Sequence, residues 1–333
     1  MCRKIYNIII CITKKIGDKK MALHLFIINP KAGSKDRYSK LSEIIKNLKI
    51  KGQVFIERTE HRGHAAKIVS EYLRRSTEFL RIYSCGGDGT LSEVVSGVHA
   101  SENKNCAIGV VPIGSGNDFI KNFSDYKKDD FLSLSKMCEG ECIPADVIEV
   151  SDADTKAVSI NIVSAGFDAA AAKGMSKFKR IPLIRKFSYE LSLVECLFTK
   201  RKHRFKLIAD GVEVEDGTHD HLFALAANGT YYGGGYKASP LSDLSDGYMD
   251  FIRIKTVGLI RFLKLVGIYR KGEHLSVTDI VDWQRCKELQ FIKDEYIDMN
   301  LDGEIIPMKN PTIKIIDDAV KVILPAVKTA ATV

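Results

Sequence analysis

The chain of 333 residues contains no G-x-x-x-x-G-K-[ST], so it does not hold phosphates with a Walker-type loop. It has no G-x-G-x-x-G either, which removes the dinucleotide fingerprint. Its eight cysteines form no C-x-x-C, and the nearest pair, Cys138 and Cys142, has no histidine or cysteine at zinc-like spacing around it. Histidines fall close together at His61 and His64 and at His219 and His221, but never as H-E-x-x-H, so a histidine metal centre is not expected. Reduced thiols in a cytoplasmic protein account for the cysteines. No apolar run reaches the ~20 residues that span a bilayer. The short one near the start, "IYNIIICI", runs into Lys14 and Lys15 without a small-residue cleavage site. Residues 1–20 are therefore expected to be an extension without a role in the fold, and any membrane contact has to be peripheral. Repeats and low-complexity tracts are missing too.

What is present fits a folded globular protein of ordinary make-up. Hydrophobic residues at 45% and charged residues at 28% support a sizeable core, and the length suits two domains. The net charge of +8 is unevenly spread. From Lys173 to Lys206 many lysines and arginines face only Glu190 and Glu195. Such a block suits nucleic acid or an anionic membrane surface, or is simply a solvated helix face.

The first 145 residues alternate between strand and helix patterns. Strands are expected at 23–29, 54–58, 79–85 and 107–111, and helices at 41–48, 64–73 and 91–99. Apolar strands without alternation, separated by helices, predict a mainly parallel sheet covered on both faces. Ligands in such folds bind beyond the carboxyl ends of the strands. Four turns fall on that rim: "NPKAGS", Thr59 to Gly63, "GGDGT" and "PIGSGND". After Asp146 the pattern changes to short, often alternating segments: 157–163, 204–210, 221–228, 249–255, 275–281, 288–293, 296–301, 312–316 and 320–324. They predict a mostly antiparallel, sandwich-like β domain over 146–325, with helical interruptions near 168–200 and 257–270 and a tail at 326–333.

The stretch "SCGGDGTLSEVV" poses the central question. Its glycines permit close approach to the main chain, and a helix N-terminus after them suits a phosphate. Asp88 then stands beside an anion, which makes sense if a metal or a specific donor sits between them. Aspartate–glycine pairs between apolar segments are also the commonest hairpin signal; Asp210 and Asp216 are read as hairpins, and spacing alone gives the same reading for Asp302. "DLSD" supplies either turn caps or oxygen ligands for a hard cation.

Six blocks, "NPKAG", "GGDGT", "PIGSGNDF", "NIVSAGFDA", "DLSDGYMD" and "LDGE", occur in an order that resembles the diacylglycerol kinase-type lipid kinases, the soluble bacterial branch related to sphingosine kinases. GGDG alone is shared with NAD kinases and phosphofructokinases; the six together, across 21–325, are specific. The resemblance implies an ATP-dependent, Mg²⁺-requiring kinase that phosphorylates a lipid hydroxyl, diacylglycerol first among the acceptors. Asn29, Thr59, Gly86, Gly87, Asp88, Gly89 and Thr90 would bind the nucleotide, with Gly114, Ser115, Gly116 and Asn117 lining the cleft. Asp118 and Asp168 would face the acceptor. Asp302 would be the general base, with Glu304 beside it. Asp243, Asp246 and the main chain of Tyr248 would hold a structural Mg²⁺ together with the glutamate of the DGE block. The partners expected are ATP, a membrane lipid and an anionic membrane surface met through Lys173 to Lys206, not nucleic acid. A homodimer is one option for an assembly that the sequence does not reveal. An NAD kinase-like enzyme and a non-catalytic nucleotide- or lipid-binding regulator are the rival functions.

Overall fold

The computed structural model describes residues 22–33, 37–167, 169–170 and 202–327. Four parallel strands open the fold: β1 (Leu23–Ile28), β2 (Gln53–Arg58), β3 (Leu80–Gly86) and β4 (Cys106–Pro112), in the spatial order β2-β1-β3-β4. Helices α1 (Arg37–Asn47), α2 (His64–Arg75) and α3 (Asp88–Ala100) cover them. The inner strands β1 and β3 are covered on both faces, so Leu25, Phe26, Ile27, Ile82 and Tyr83 are all fully buried, whereas the edge strand β2 is only partly so. Helices α2 and α3 touch through Gly97, where an added Cβ would lie 2.6 Å from the Ala66 carbonyl oxygen. Short helices α4 (Lys128–Leu132) and α5 (Leu134–Glu139) follow β4.

The chain then enters β5 (Glu141–Ser151), so the division expected at 145/146 falls inside one strand. β5 pairs antiparallel with the final strand, β18 (Thr312–Leu324), and with β6 (Lys156–Ser159). β18 also pairs parallel with β4, through Val322 opposite Ile108 and Ile323 opposite Gly109. A bulge between Ile316 and Val320 bends it, and its first half joins β15 (Glu288–Ile292), β8 (Lys206–Ala209) and β9 (Val212–Asp216). Ten strands thus form one continuous sheet. A second, antiparallel sheet has the order β14-β13-β10-β7-β16-β17, built from β7 (Ile162–Gly166), β10 (His221–Ala227), β13 (Met249–Lys255), β14 (Val281–Cys286), β16 (Ile297–Leu301) and β17 (Glu304–Met308). Val163, Ala226, Phe251 and Met299 of this sheet pack on Leu207, Leu289, Phe291 and Ile313 of the first. This is the β-sandwich predicted, beside the α/β layers predicted. The outer face of the second sheet is covered by α6 (Leu259–Lys271) through Phe262, Leu265 and Tyr269. A small hairpin, β11 (Tyr231–Tyr232) and β12 (Tyr236–Lys237), stands beside it.

Several local expectations are corrected. Residues 275–281 are not a strand: Val277 N donates to His274 O and Ile280 N to Val277 O, so successive turns use the alternating apolar residues, and the strand starts at Val281. The expected strand 157–163 is two, broken at Ile160–Asn161, and the segments 312–316 and 320–324 are one. Asp210–Gly211 is a hairpin as expected, whereas Asp216–Gly217 carries the chain from one sheet to the other.

Candidate active site

The glycine turns after β3 and β4 lie back to back. Gly114 N donates to Gly86 O at 2.9 Å, and a Cβ on Gly114 would sit 2.4 Å from Gly87 Cα. Gly86 leaves room for Thr90, whose Oγ1 would be 2.2 Å from an added Cβ. Thr90 in turn receives the Asn29 amide (Nδ2 to Oγ1, 3.0 Å), which ties the end of β1 to the first turn of α3. The main chain of Thr59 completes the rim by donating to Ile28 O. Gly89 differs from its neighbours. It is exposed, and nothing lies within 4 Å of where its Cβ would be. α3 has Gly87 as its N-cap and no side-chain cap. Its first donors into the helix's own carbonyls are Thr90 N and Leu91 N, so the N–H groups of Asp88 and Gly89 stand before the ladder begins. An uncapped helix start with an open glycine is a ready anion site.

Asp88 is clasped by the loop after β4. Its Oδ1 accepts from Asp118 N at 2.8 Å and from Phe119 N at 3.4 Å, and a Cβ on Gly116 would be 2.7 Å from its Oδ2. Burial, and then the charge of Asp118, push its carboxyl above the usual aspartate range. Ser115 is exposed on the lip of that loop. Asn117 adopts a left-handed φ of 54° and donates from Nδ2 to Gly114 O at 2.7 Å. Its Oδ1 is buried with no partner among the described residues, an acceptor left over for a ligand donor. Asp118 is buried with both oxygens engaged: Oδ1 with Lys121 Nζ at 2.5 Å, Oδ2 with Gly234 N at 2.7 Å. That second bond reaches the β11–β12 hairpin, so Asp118 joins the two halves of the molecule.

Asp302 faces this rim from the β domain. Asp302 and Gly303, at φ 50° and 94°, form the two-residue turn between β16 and β17, so the spacing was right about a hairpin. The carboxylate nevertheless points inward: Oδ2 accepts from Ile160 N and Oδ1 from Ile162 N, each at 2.9 Å. These bonds occupy the gap between β6 and β7. Burial raises its pKa to about 6 despite them, and the charge of Asp88 adds to the rise. Glu304 forms an ion pair with Arg62, in the turn before α2. Arg62 was not singled out from the sequence, although it lies within the rim turn that begins at Thr59. Asn122 and Asn161 were missed as well. Asn122 Nδ2 donates to Asn161 Oδ1 at 3.2 Å and Asn122 Oδ1 accepts from Thr230 N at 2.7 Å, a polar seam between the halves; Asn161 opens the block "NIVSAGFDA" but was given no role there.

Asp243, Asp246 and Tyr248 share one turn. Asp243 Oδ1 accepts from Ser245 N at 3.1 Å, Asp246 Oδ1 accepts from Tyr248 N at 3.1 Å, and Asp246 Oδ2 meets Arg285 at 2.9 Å. The turn rests on buried Asp146, which accepts from Gly247 N and Asp318 N at 2.8 Å each. Burial lifts Asp146 to about 6. The carboxylates and carbonyl of this turn are all oxygen donors, the chemistry of a hard cation. Glu304, expected to share it, is the partner of Arg62 here. Asp168 and the cationic residues 173–201 lie outside the described residues. At the described end of that block, Lys202 and Arg204 pair with Asp220, and Lys206 with Glu213. No helix among the described residues is long and apolar enough to cross a membrane.

Residues 24–150 match the family described as "Diacylglycerol kinase catalytic domain", and residues 161–324 match "YegS C-terminal NAD kinase beta sandwich-like domain". The Bacillus subtilis protein YtlR is 29% identical over 302 residues, covering 86% of this chain and 94% of its own. A Bacillus subtilis diacylglycerol kinase is 26% identical over 280 residues, covering 84% and 88%. A solved structure from Bacillus anthracis str. Sterne, 20% identical, overlays with a TM-score of 0.73 over 93% of this chain and 97% of that one. With the motif blocks, the two-part fold and these matches in agreement, the chain belongs to the diacylglycerol kinase catalytic-domain family of lipid kinases.

Proposed function

We propose that this kinase transfers the γ-phosphoryl group of ATP to the hydroxyl of a membrane lipid, diacylglycerol giving phosphatidic acid. The observation that carries the reading is Asp302. It is a half-buried carboxylate held by two main-chain donors, close enough to Asp88 to feel its charge, with a pKa raised to about 6. A base that is ionised near neutrality, yet basic enough to take a proton, has the property this step needs.

Phosphoryl transfer is mostly positioning and charge neutralisation. The open start of α3 at Asp88 and Gly89 would receive the phosphates, and Asn117 Oδ1 would accept a donor from the nucleotide. Asp302 would take the proton of the acceptor hydroxyl as its oxygen bonds to the γ-phosphorus and the bridge to the β-phosphate breaks, releasing ADP. Asp88 fits the hold on a nucleotide-linked Mg²⁺, and Asp243, Asp246 and the Tyr248 carbonyl fit a structural one. Mg²⁺ supplies neutralisation of phosphate charge when bound. The test is incubation with labelled ATP, Mg²⁺ and a total lipid extract, followed by identification of the labelled product. The second domain match is described by an NAD kinase-like sandwich, so NAD belongs in the same assay. Label in NAD and not in lipid would replace the lipid reading.

A further inference from the structure

Helix α6 has an unusual outer side. A helix packed on a sheet by one stripe normally keeps polar residues on the other. In α6 the stripe is Phe262, Leu265 and Tyr269, yet Ile260 is 76% exposed and Leu263 is 58% exposed. Leu259 beside them is also exposed. The helix contains Arg261, Lys264, Arg270 and Lys271 and no acidic residue. Arg261 pairs with Asp279, and Arg270 lies over the Tyr236 ring. Lys264 and Lys271 are exposed and have no carboxylate partner among the described residues. Exposed isoleucine and leucine among uncompensated lysines have the composition of a helix that lies in a membrane interface.

The inner side of the same helix gives that face a purpose. Phe262, Leu265 and Tyr269 line an apolar cleft of about 40 Å³, closed on its other side by Phe223, Tyr232 and Tyr236. Tyr232 and Tyr236 belong to the β11–β12 hairpin. Gly234, at the tip of that hairpin, donates to Asp118, whose own N–H is bonded to Asp88. One hairpin therefore separates α6 from the phosphate loop. We propose that the outer face of α6 docks this protein on an anionic bilayer surface, with Ile260 and Leu263 in the headgroup region and Lys264 and Lys271 against anionic lipid. Its purpose, holding the protein where a lipid can reach the rim of Asp88 and Asp302, rests on the lipid kinase reading; the docking itself does not need ATP.

The experiment measures partition of the full chain onto phosphatidylcholine vesicles with and without phosphatidylglycerol. Wild type binds the anionic vesicles, and rising salt weakens the binding. A lysine at such a surface contributes about 1 kcal/mol, or roughly fivefold, so Lys264→Gln with Lys271→Gln lowers partition about thirtyfold. Ile260→Ser with Leu263→Ser lowers it about tenfold or more by removing apolar contact. Both variants keep wild-type turnover on a monomeric short-chain diacylglycerol and lose turnover on vesicles. Should the apolar pair melt early, the lysine pair alone decides. Unchanged partition of the lysine variant, or equal binding to neutral vesicles, overturns the docking face while wild-type lipid phosphorylation stands. A face that joins two copies would instead show as a change in sedimentation coefficient with partition unaltered, which also overturns it. Wild type that docks through α6 but labels no lipid overturns the kinase reading and leaves the docking intact.

Discussion

Replacing Asp302 by asparagine separates chemistry from architecture. Asparagine tolerates the left-handed φ of 50° at this turn, so the β16–β17 hairpin survives. Its amide oxygen can accept from one of Ile160 N and Ile162 N, but its NH₂ group faces the other and leaves that donor unpaired. An orphaned buried donor costs about 1–3 kcal/mol, within a total stability of roughly 5–15 kcal/mol, so the variant folds with a lowered Tm. Turnover falls by about 10²–10⁴, the scale of a lost general base, while nucleotide affinity by calorimetry is unchanged. The pH profile adds a second reading. Below a pKa of about 6 the wild-type carboxyl is protonated and cannot accept the hydroxyl proton, so kcat rises with pH through about 6 and then levels off. In the asparagine variant the residual rate lacks that limb. Wild-type turnover, an unchanged limb, or an equal loss of nucleotide binding refutes the assignment.

Gly89→Ala meets empty space at a helix position, where alanine is the better helix former by about 1 kcal/mol; it raises Tm and weakens nucleotide binding, and a variant that binds ATP normally dismisses the anion site. Gly86→Ala clashes with Thr90 instead and lowers Tm, which a melt compares directly. Asp88→Ala strands the Asp118 and Phe119 donors and abolishes lipid phosphorylation with weakened Mg·ATP binding; normal kinetics would return the loop to a structural turn. Asp146 and Asp302 both have folded pKa values raised to about 6, so the folded state binds protons more tightly than the unfolded one. Their contribution is complete below the unfolded value of about 4 and is lost as pH rises through 6; a Tm series across that window in chelator shows a decline, which Asp146→Asn reduces. Asp243→Ala with Asp246→Ala removes the rise in Tm on adding Mg²⁺ that a cation bound only to the folded state would give, and an undiminished rise rejects a cation there.

Periodicity and turn chemistry made the α/β half readable, because unbroken apolar strands such as "LHLFIIN" report burial on both faces and the glycine turns fall at their ends. The same turn chemistry brought Asp88 forward, whereas Asn29 and Asn117 came only from the resemblance of the motif blocks. Other features depend on contacts distant in sequence. β5 was hidden because "ECIPADVIEVS" owes its strand form to β18, far along the chain. Asp302 sent two messages at once: spacing reported its backbone turn, and only tertiary structure shows its side chain filling the break at Ile160–Asn161. Arg62 and Asn122 act on partners that their own neighbourhoods do not announce. At 275–281 a period of two reflected turns packed under α6, a case where alternation and pairing part company.

The placement of β18 has a consequence for how this protein is made. Until the ribosome has released residues 312–324, the open edge of β4 has no neighbour there and β5 lacks its long partner. An emerging α/β half therefore exposes unpaired backbone, the condition that invites pairing with other chains. Neither half is a self-sufficient module to be expressed alone, and a nonsense mutation before Thr312 removes the seam of both, so the two ends of the message must be read before the α/β half is finished.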